Sequence, residues 1–309
     1  MMTALLNRLA PYLWPLAIAN LVANIGIVVT GGAVRLTGSG LGCPTWPRCT
    51  DESYVPHGEL GLHGAIEFGN RLLTFVLVAV AIACFLAALG ARHRRATRIS
   101  FVVGLGIPLQ AVIGGITVLT DLNPWIVSGH FLLSMAMVMA CIALLDELRS
   151  PERGAAPMLP RTLAWATLAS GWVVLYLGTV VTGAGPHAGD TDSPRNGLDP
   201  ATVSHVHAIS VYVLVALTVA LLVVALRGGH AWLARVTGLV LVIELLQGVL
   251  GWVQYGLDLP VGLVALHMLG AGLLAAGLAR IALAVLPHRV GAEARAGGGS
   301  QPHAATRLP

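Results

Sequence analysis

Lysine is missing altogether: all 18 basic residues among the 309 are arginine, and acidic residues number only 14. Charge is correspondingly scarce, at 10% of the chain, and aromatic residues account for 6%. So little charge cannot cover the surface of a soluble domain, which excludes one. Cysteine is rare as well, with four in the chain. Cys84 and Cys141 fall inside apolar runs and read as buried, inert small residues. Cys43 and Cys49 flank the sequence PTWPR, and two readings stand for them. They form a disulfide on an oxidising outer face, or they are two thiolates of a metal site. The disulfide is the better supported, because two thiolates with no further ligands nearby do not complete a metal shell.

What fills the chain is apolar sequence, 56% of residues with a mean hydropathy of +0.80. Eight runs of about 20 apolar residues, near 12–31, 65–90, 99–120, 125–145, 162–182, 203–226, 236–257 and 261–286, are each long enough to cross a bilayer as a helix. The expected fold is an all-α polytopic membrane protein. Arg8, the Arg92/Arg94/Arg95/Arg98 cluster, Arg149, Arg153, Arg161, Arg227, Arg235, Arg280, Arg289, Arg295 and Arg307 share one side, 14 of the 18. Only Arg35, Arg48, Arg71 and Arg195 fall on the other. The positive-inside rule then makes both termini cytoplasmic. The pI near 9.2 is a topology signal and carries no nucleic-acid reading. The N-terminal MMTALLNRLAPYLWPLAIANLV reads as an uncleaved signal-anchor.

The spans are arranged as a repeat. LQAVIGGITVLTDLNPWIVSGH at 109–130 returns as LQGVLGWVQYGLDLPVGLVALH at 246–267, with a constant offset of 137. That offset pairs Gln110 with Gln247, Gly114 with Gly251, Asp121 with Asp258 and His130 with His267, and extended backwards it pairs Asn70 with His207. The stretch opening VVTGGAVRLTGSG at Val28 is echoed by VVTGAGPHAGD at Val180, with an offset of 152. The expected architecture is two tandem four-helix bundles related by duplication, at 1–148 and 162–286. A charged cytoplasmic linker at 149–161 joins them, and 287–309 forms a disordered tail.

His130, His207 and His267 each lie a similar distance past a proline, Pro124, Pro200 and Pro260. At 1.5 Å per residue that is roughly 9–10 Å below the outer surface. A lone histidine on an apolar helix is usually a packed core residue. Three of them, with Asn70 at the fourth equivalent position, suggest two sites on one plan. Neutral imidazole binds iron, zinc or copper. A pair of histidines without thiolate or carboxylate ligands fits axial ligation of haem better than zinc. His205, two residues from His207, points elsewhere. His63, Glu67 and Asn70 share a helix face with Arg71 beside them. Glu67 either forms an interfacial pair with Arg71 or faces a cofactor cavity. The second half has Ser204 and Ala208 in place of Glu67 and Arg71, an asymmetry that suggests one site does chemistry and the other serves it.

GGAVRLTGSGLGCPTWPRC, IEFGNR, TGAGPHAGD and the two His-bearing fourth helices resemble the haem A synthase family, over nearly the whole chain except the tail. The resemblance implies oxidation of the ring D methyl of haem O to a formyl group by successive hydroxylations. It implies a haem b between His207 and His267, and the haem O substrate near Glu67 and His130. Glu67 is the candidate proton relay or electrostatic stabiliser. The family's histidine three residues after the glutamate is here Asn70, and His63 is the possible substitute ligand. Arg35 and Arg71 hold propionates in one reading and anchor the interface in the other. The implied partners are haem O, haem O synthase, cytochrome oxidase assembly factors and an electron acceptor that the sequence does not identify.

Two other functions compete. A dihaem cytochrome b-like electron-transfer subunit would use the same four positions, but three histidines and an asparagine make one complete pair. A transporter built on parallel repeats lacks a broken-helix signal, and the ionisable residues are expected near the outer face.

Overall fold

The computed structural model describes residues 2–288. The tail expected to be disordered lies, beyond His288, outside the described residues. A short helix α1 (Met2–Leu9) leads through a 3-10 turn into α2 (Leu13–Leu36). There follow α3 (Gly61–Gly90), α4 (Arg94–Leu119), α5 (Pro124–Arg149), α6 (Met158–Ala184), α7 (Pro200–Arg227), α8 (Ala231–Gly256) and α9 (Val261–Ala284). The described residues form eight spans long and apolar enough to cross a membrane, the first of them α1 and α2 together, and no sheet.

The helices close into two rings. α2 packs on α3, α3 on α4, α4 on α5 and α5 back on α2; α6 to α9 close in the same order. The rings meet where α5 packs on α9, with α2 against α9 and α5 against α6 on either side.

Local chemistry sets where the functional helices begin. Pro124 opens α5 and Pro200 opens α7, each with no amide hydrogen to leave unsatisfied. The side chain of Asn123 caps the first from the Trp125 N–H, and that of Asp199 caps the second from the Thr202 N–H at 2.8 Å. The Thr202 hydroxyl and N–H hold the exposed Asp199 carboxyl below its usual range. The two interhelical turns of the repeated stretch share one unusual conformation. Asp121 and Leu122 have φ of 52° and 59°, and Asp258 and Leu259 have φ of 58° and 58°. Leu122 N–H then reaches the Thr117 carbonyl at 2.8 Å and Leu259 N–H reaches the Gln254 carbonyl at 2.7 Å. These are Schellman closures made without glycine, each left-handed residue costing about 1–2 kcal/mol.

One expectation about local structure changes. The first span, expected near 12–31, runs further, because α2 continues through Gly31 and Gly32 to Leu36. Packing overrides the low helix propensity of glycine here. A Cβ on Gly32 would stand 2.6 Å from the Met268 sulfur of α9, so a larger residue there would have to displace the end of that side chain.

At the opposite end, the 149–161 linker is tied down. Arg153 bonds Asp146 at 2.8 Å and the Leu283 carbonyl at 2.8 Å, and it exchanges backbone bonds with His288. Asp146 is buried and also pairs with Arg280 of α9. The charge of the linker thus joins the ends of α5 and α9.

Candidate functional site

Each of the three histidines stands against a glycine of the preceding helix. A Cβ on Gly114 of α4 would lie 3.3 Å from His130 Cε1; the corresponding distances are 3.3 Å from Gly178 of α6 to His207 and 3.7 Å from Gly251 of α8 to His267. The glycines leave the room that the imidazoles occupy. In all three rings Nδ1 is buried with no hydrogen-bond partner. A buried polar atom in that state costs about 1–3 kcal/mol. Neutral imidazoles whose Nδ1 has no competing partner suit a metal ligand, and His207 and His267 belong to the same ring of helices. α5 is held at the level of His130 by Gln110, whose amide donates to the His130 carbonyl at 3.1 Å and to Ser134 Oγ at 2.6 Å.

Asn70 is engaged otherwise. Thr30 of α2 donates to its Oδ1 at 2.8 Å, and its Nδ2 faces Gly31. An amide oxygen already accepting a hydrogen bond is a weak metal ligand beside imidazole. His63 is exposed near the start of α3 with Nδ1 2.9 Å from Ser39 Oγ, so its ring is not a buried partner of His130. The residues therefore fit a bis-imidazole haem in the α6–α9 ring, and an iron held by one imidazole in the α2–α5 ring. Among the described residues no group of three or more His, Cys, Asp or Glu side chains forms a metal cage.

Glu67 makes the ion pair with Arg71, at 2.6 Å, and it is buried. Its Oε1 takes both bonds from Arg71, and its Oε2 accepts the Cys43 N–H at 2.5 Å. Arg71 also donates to the carbonyls of Cys43, Thr45 and Arg48 at 3.0, 3.0 and 3.1 Å. Its guanidinium is therefore spent on the segment that the Cys43–Cys49 disulfide closes. That clamped loop carries Trp46, whose indole lies where a Cβ on Gly115 would come within 2.4 Å. Gly114 and Gly115 are consecutive on α4, so His130 and Trp46 occupy neighbouring faces of one helix turn. Sequence reading had no signal for this contact, which depends on how a loop folds back. Cys43→Ser and Cys49→Ser are each expected to let this wall shift and to destabilise the protein by about 2 kcal/mol, the loop-closure contribution of so short a disulfide loop. The thermal unfolding midpoint checks this, and an unchanged midpoint in both variants would contradict it.

Arg35 does not stand free. Its Nε donates to the His187 carbonyl at 2.6 Å and an Nη to the Thr182 carbonyl at 3.1 Å, which links α2 to the loop after α6. Gly40 N–H reaches Gly189 across the same seam at 2.8 Å.

One buried group corrects the expectation that ionisable residues gather near the outer face. Glu244 lies at the middle of α8, 2% exposed. The Thr218 hydroxyl donates to its Oε1 at 2.8 Å, while Oε2 is buried with no partner. The signal was present as a single carboxylate in LVLVIELLQG.

The family model described as cytochrome oxidase assembly protein, COX15-CtaA, matches residues 15–191, more than half of the chain. A heme A synthase of Bradyrhizobium sp. (strain ORS 278) is 28% identical over 82% of this chain and 85% of its own length. Heme A synthases of Geobacillus thermodenitrificans and Geobacillus kaustophilus are 32% and 30% identical over 42% and 40% of this chain. Those two alignments span only 41% and 39% of the Geobacillus proteins. The chain belongs to the COX15-CtaA family of cytochrome oxidase assembly proteins.

Proposed function

We propose that this chain is a haem A synthase that oxidises the ring D methyl of haem O to a formyl group by successive hydroxylations. The observation that carries this is the set of three half-buried imidazoles, each against a glycine and each with a buried, unpartnered Nδ1, divided two and one between the rings. His207 and His267 would hold a haem b, and His130 would hold the iron of the substrate. Asn70, tied to Thr30, would leave the other axial position weakly held or open. The irons supply the redox chemistry when bound.

The protein's own part is to position groups and to take up protons. Trp46 walls the site beside His130, and Arg71 fixes the loop that carries it. Glu67 Oε2, with one bond from Cys43 N–H, keeps a lone pair free to hold a proton. Arg71 holds the carboxylate in place through Oε1. Neither Arg35 nor Arg71 is assigned to propionates, because both are engaged with backbone carbonyls.

The halves are read as copies of one four-helix unit, 1–148 and 162–286, joined at 149–161. The shared left-handed Asp-Leu turns and the shared His–Gly contacts at offset 137 support this. The arginine bias supports a cytoplasmic location for both termini, which puts the disulfide end outside.

The absorbance spectrum of the purified protein tests the cofactor assignment. One equivalent of low-spin haem is expected. Two low-spin equivalents would favour a dihaem electron carrier, and no Soret band from a haem-sufficient host would overturn both.

A further inference from the structure

Glu244 has no role in the chemistry described above, yet a carboxyl at the centre of a membrane bundle is costly unless it is paired. Its only partner is Thr218, and no charged group acts on it among the described residues. The helices packed on α8 are α7 and α9. Their titratable and charged side chains are His205, His207, Tyr212 and Arg227 on the first, and His267 and Arg280 on the second. His205, Tyr212 and Arg227 are exposed, and Arg280 is committed to Asp146 and stacks on Trp232. On α8 itself, Arg235 and Tyr255 are exposed. That leaves His207 and His267. Gly251, which meets the His267 ring, is seven residues from Glu244 on α8, about 10 Å along the axis. Thr237, seven residues the other way and on the same face, is fully buried with an unpartnered hydroxyl. Thr237 thus lies on the linker side of Glu244 along α8, and Gly251, against His267, lies on the other.

We propose that Glu244 is the proton-uptake site of the α6–α9 ring, its carboxylate gaining a fraction of a proton, about half at most, for each electron that enters the haem held by His207 and His267. The proposal rests on the haem assignment made above. The proton forms an O–H bond at Oε2 and turns the carboxylate into the neutral acid; proton and electron leave together on reoxidation. Along α8 Gly251 is about 10 Å from Glu244, and along α7 His207 is about 16 Å from Thr218; charges at the shorter of these separations, at an effective dielectric near 20, are coupled by about tenfold in an equilibrium constant, enough to link the two events. The sign follows. At acid pH Glu244 carries its proton and adds no charge. At alkaline pH its anion stabilises the more positive, oxidised state, so the midpoint potential is lower.

The test is a potentiometric titration of the intact, haem-loaded protein at a series of pH values, with an electrode supplying electrons and buffer supplying protons. The wild type is expected to show a fall of about tenfold between acid and alkaline plateaus, about 59 mV for one electron. Glu244→Gln should lose that step while keeping its low-spin spectrum, and any step from the haem's own propionates should remain in both. Thr218→Val should move the step to higher pH without removing it, because the hydroxyl favours the charged carboxylate. Reduced-minus-oxidised infrared spectra should gain a protonated-carboxyl band in the wild type that Glu244→Gln lacks. An unchanged step in Glu244→Gln overturns the proposal. If instead His207→Ala leaves the low-spin band intact, it is the haem assignment that has failed.

Discussion

With a haem b held as proposed, replacing either His207 or His267 with Ala is expected to abolish the low-spin band and to leave the protein inserted in the membrane. Each imidazole sits in a space that a glycine on the preceding helix leaves open, and each has a buried Nδ1 with no protein partner. Removing one ring takes away an axial ligand that nothing nearby replaces: His205 is exposed, with Nδ1 2.7 Å from the Ala201 carbonyl. Haem content in this ring should drop by at least about tenfold, since even the loss of an outer-shell partner costs 10–100-fold at metal sites. Insertion is unaffected because the eight spans depend on hydropathy, to which one histidine contributes little. A low-spin spectrum unchanged in both variants would remove the assignment.

The second large effect is expected at Glu67. Glu67→Ala should stop turnover, with a hydroxylated intermediate as the furthest product, while haem b in the other ring stays in place. Two losses combine there: the acceptor at Oε2 disappears, and the Cys43 N–H and the Arg71 guanidinium lose their shared partner. Arg71, half-buried, keeps its three carbonyl partners but loses its counter-ion, so the loop that carries Trp46 loosens as well. Glu67→Gln separates the two contributions, since it keeps the shape and removes the proton acceptor. Asn70→Ala should be milder than His130→Ala, because it removes a hydrogen bond to Thr30 rather than a metal bond. Normal haem A production by Glu67→Ala would mean the reactive site is in the other ring.

The eight helices were readable because a membrane span is a local property of about 20 residues. The disulfide was readable because Cys43 and Cys49 are close in sequence and alone in their loop. The i, i+4 spacing of Glu67 and Arg71 made their pairing one of two open readings; the Cys43 N–H that completes it is not visible from spacing. Other features depend on which helix faces which. The helical course of Gly31–Gly32 follows from Met268 in the other ring, 236 residues from Gly32 in the chain (268 − 32). Gly114 and Gly251 stood out as a repeated pair, but nothing in their spacing says that an imidazole lies on each. Glu244 was overlooked for the opposite reason: one charge in a long apolar run hardly alters its hydropathy, and only its burial beside Thr218 gives it meaning.

The most direct measurement is expression of the chain in a host that makes haem O but not haem A, followed by chromatography of the extracted haems. Haem A should appear with the wild-type chain and be absent with Glu67→Ala. Extracts containing haem O alone, from cells in which the wild-type protein is inserted and carries its low-spin haem, would show that the chain is not a haem A synthase.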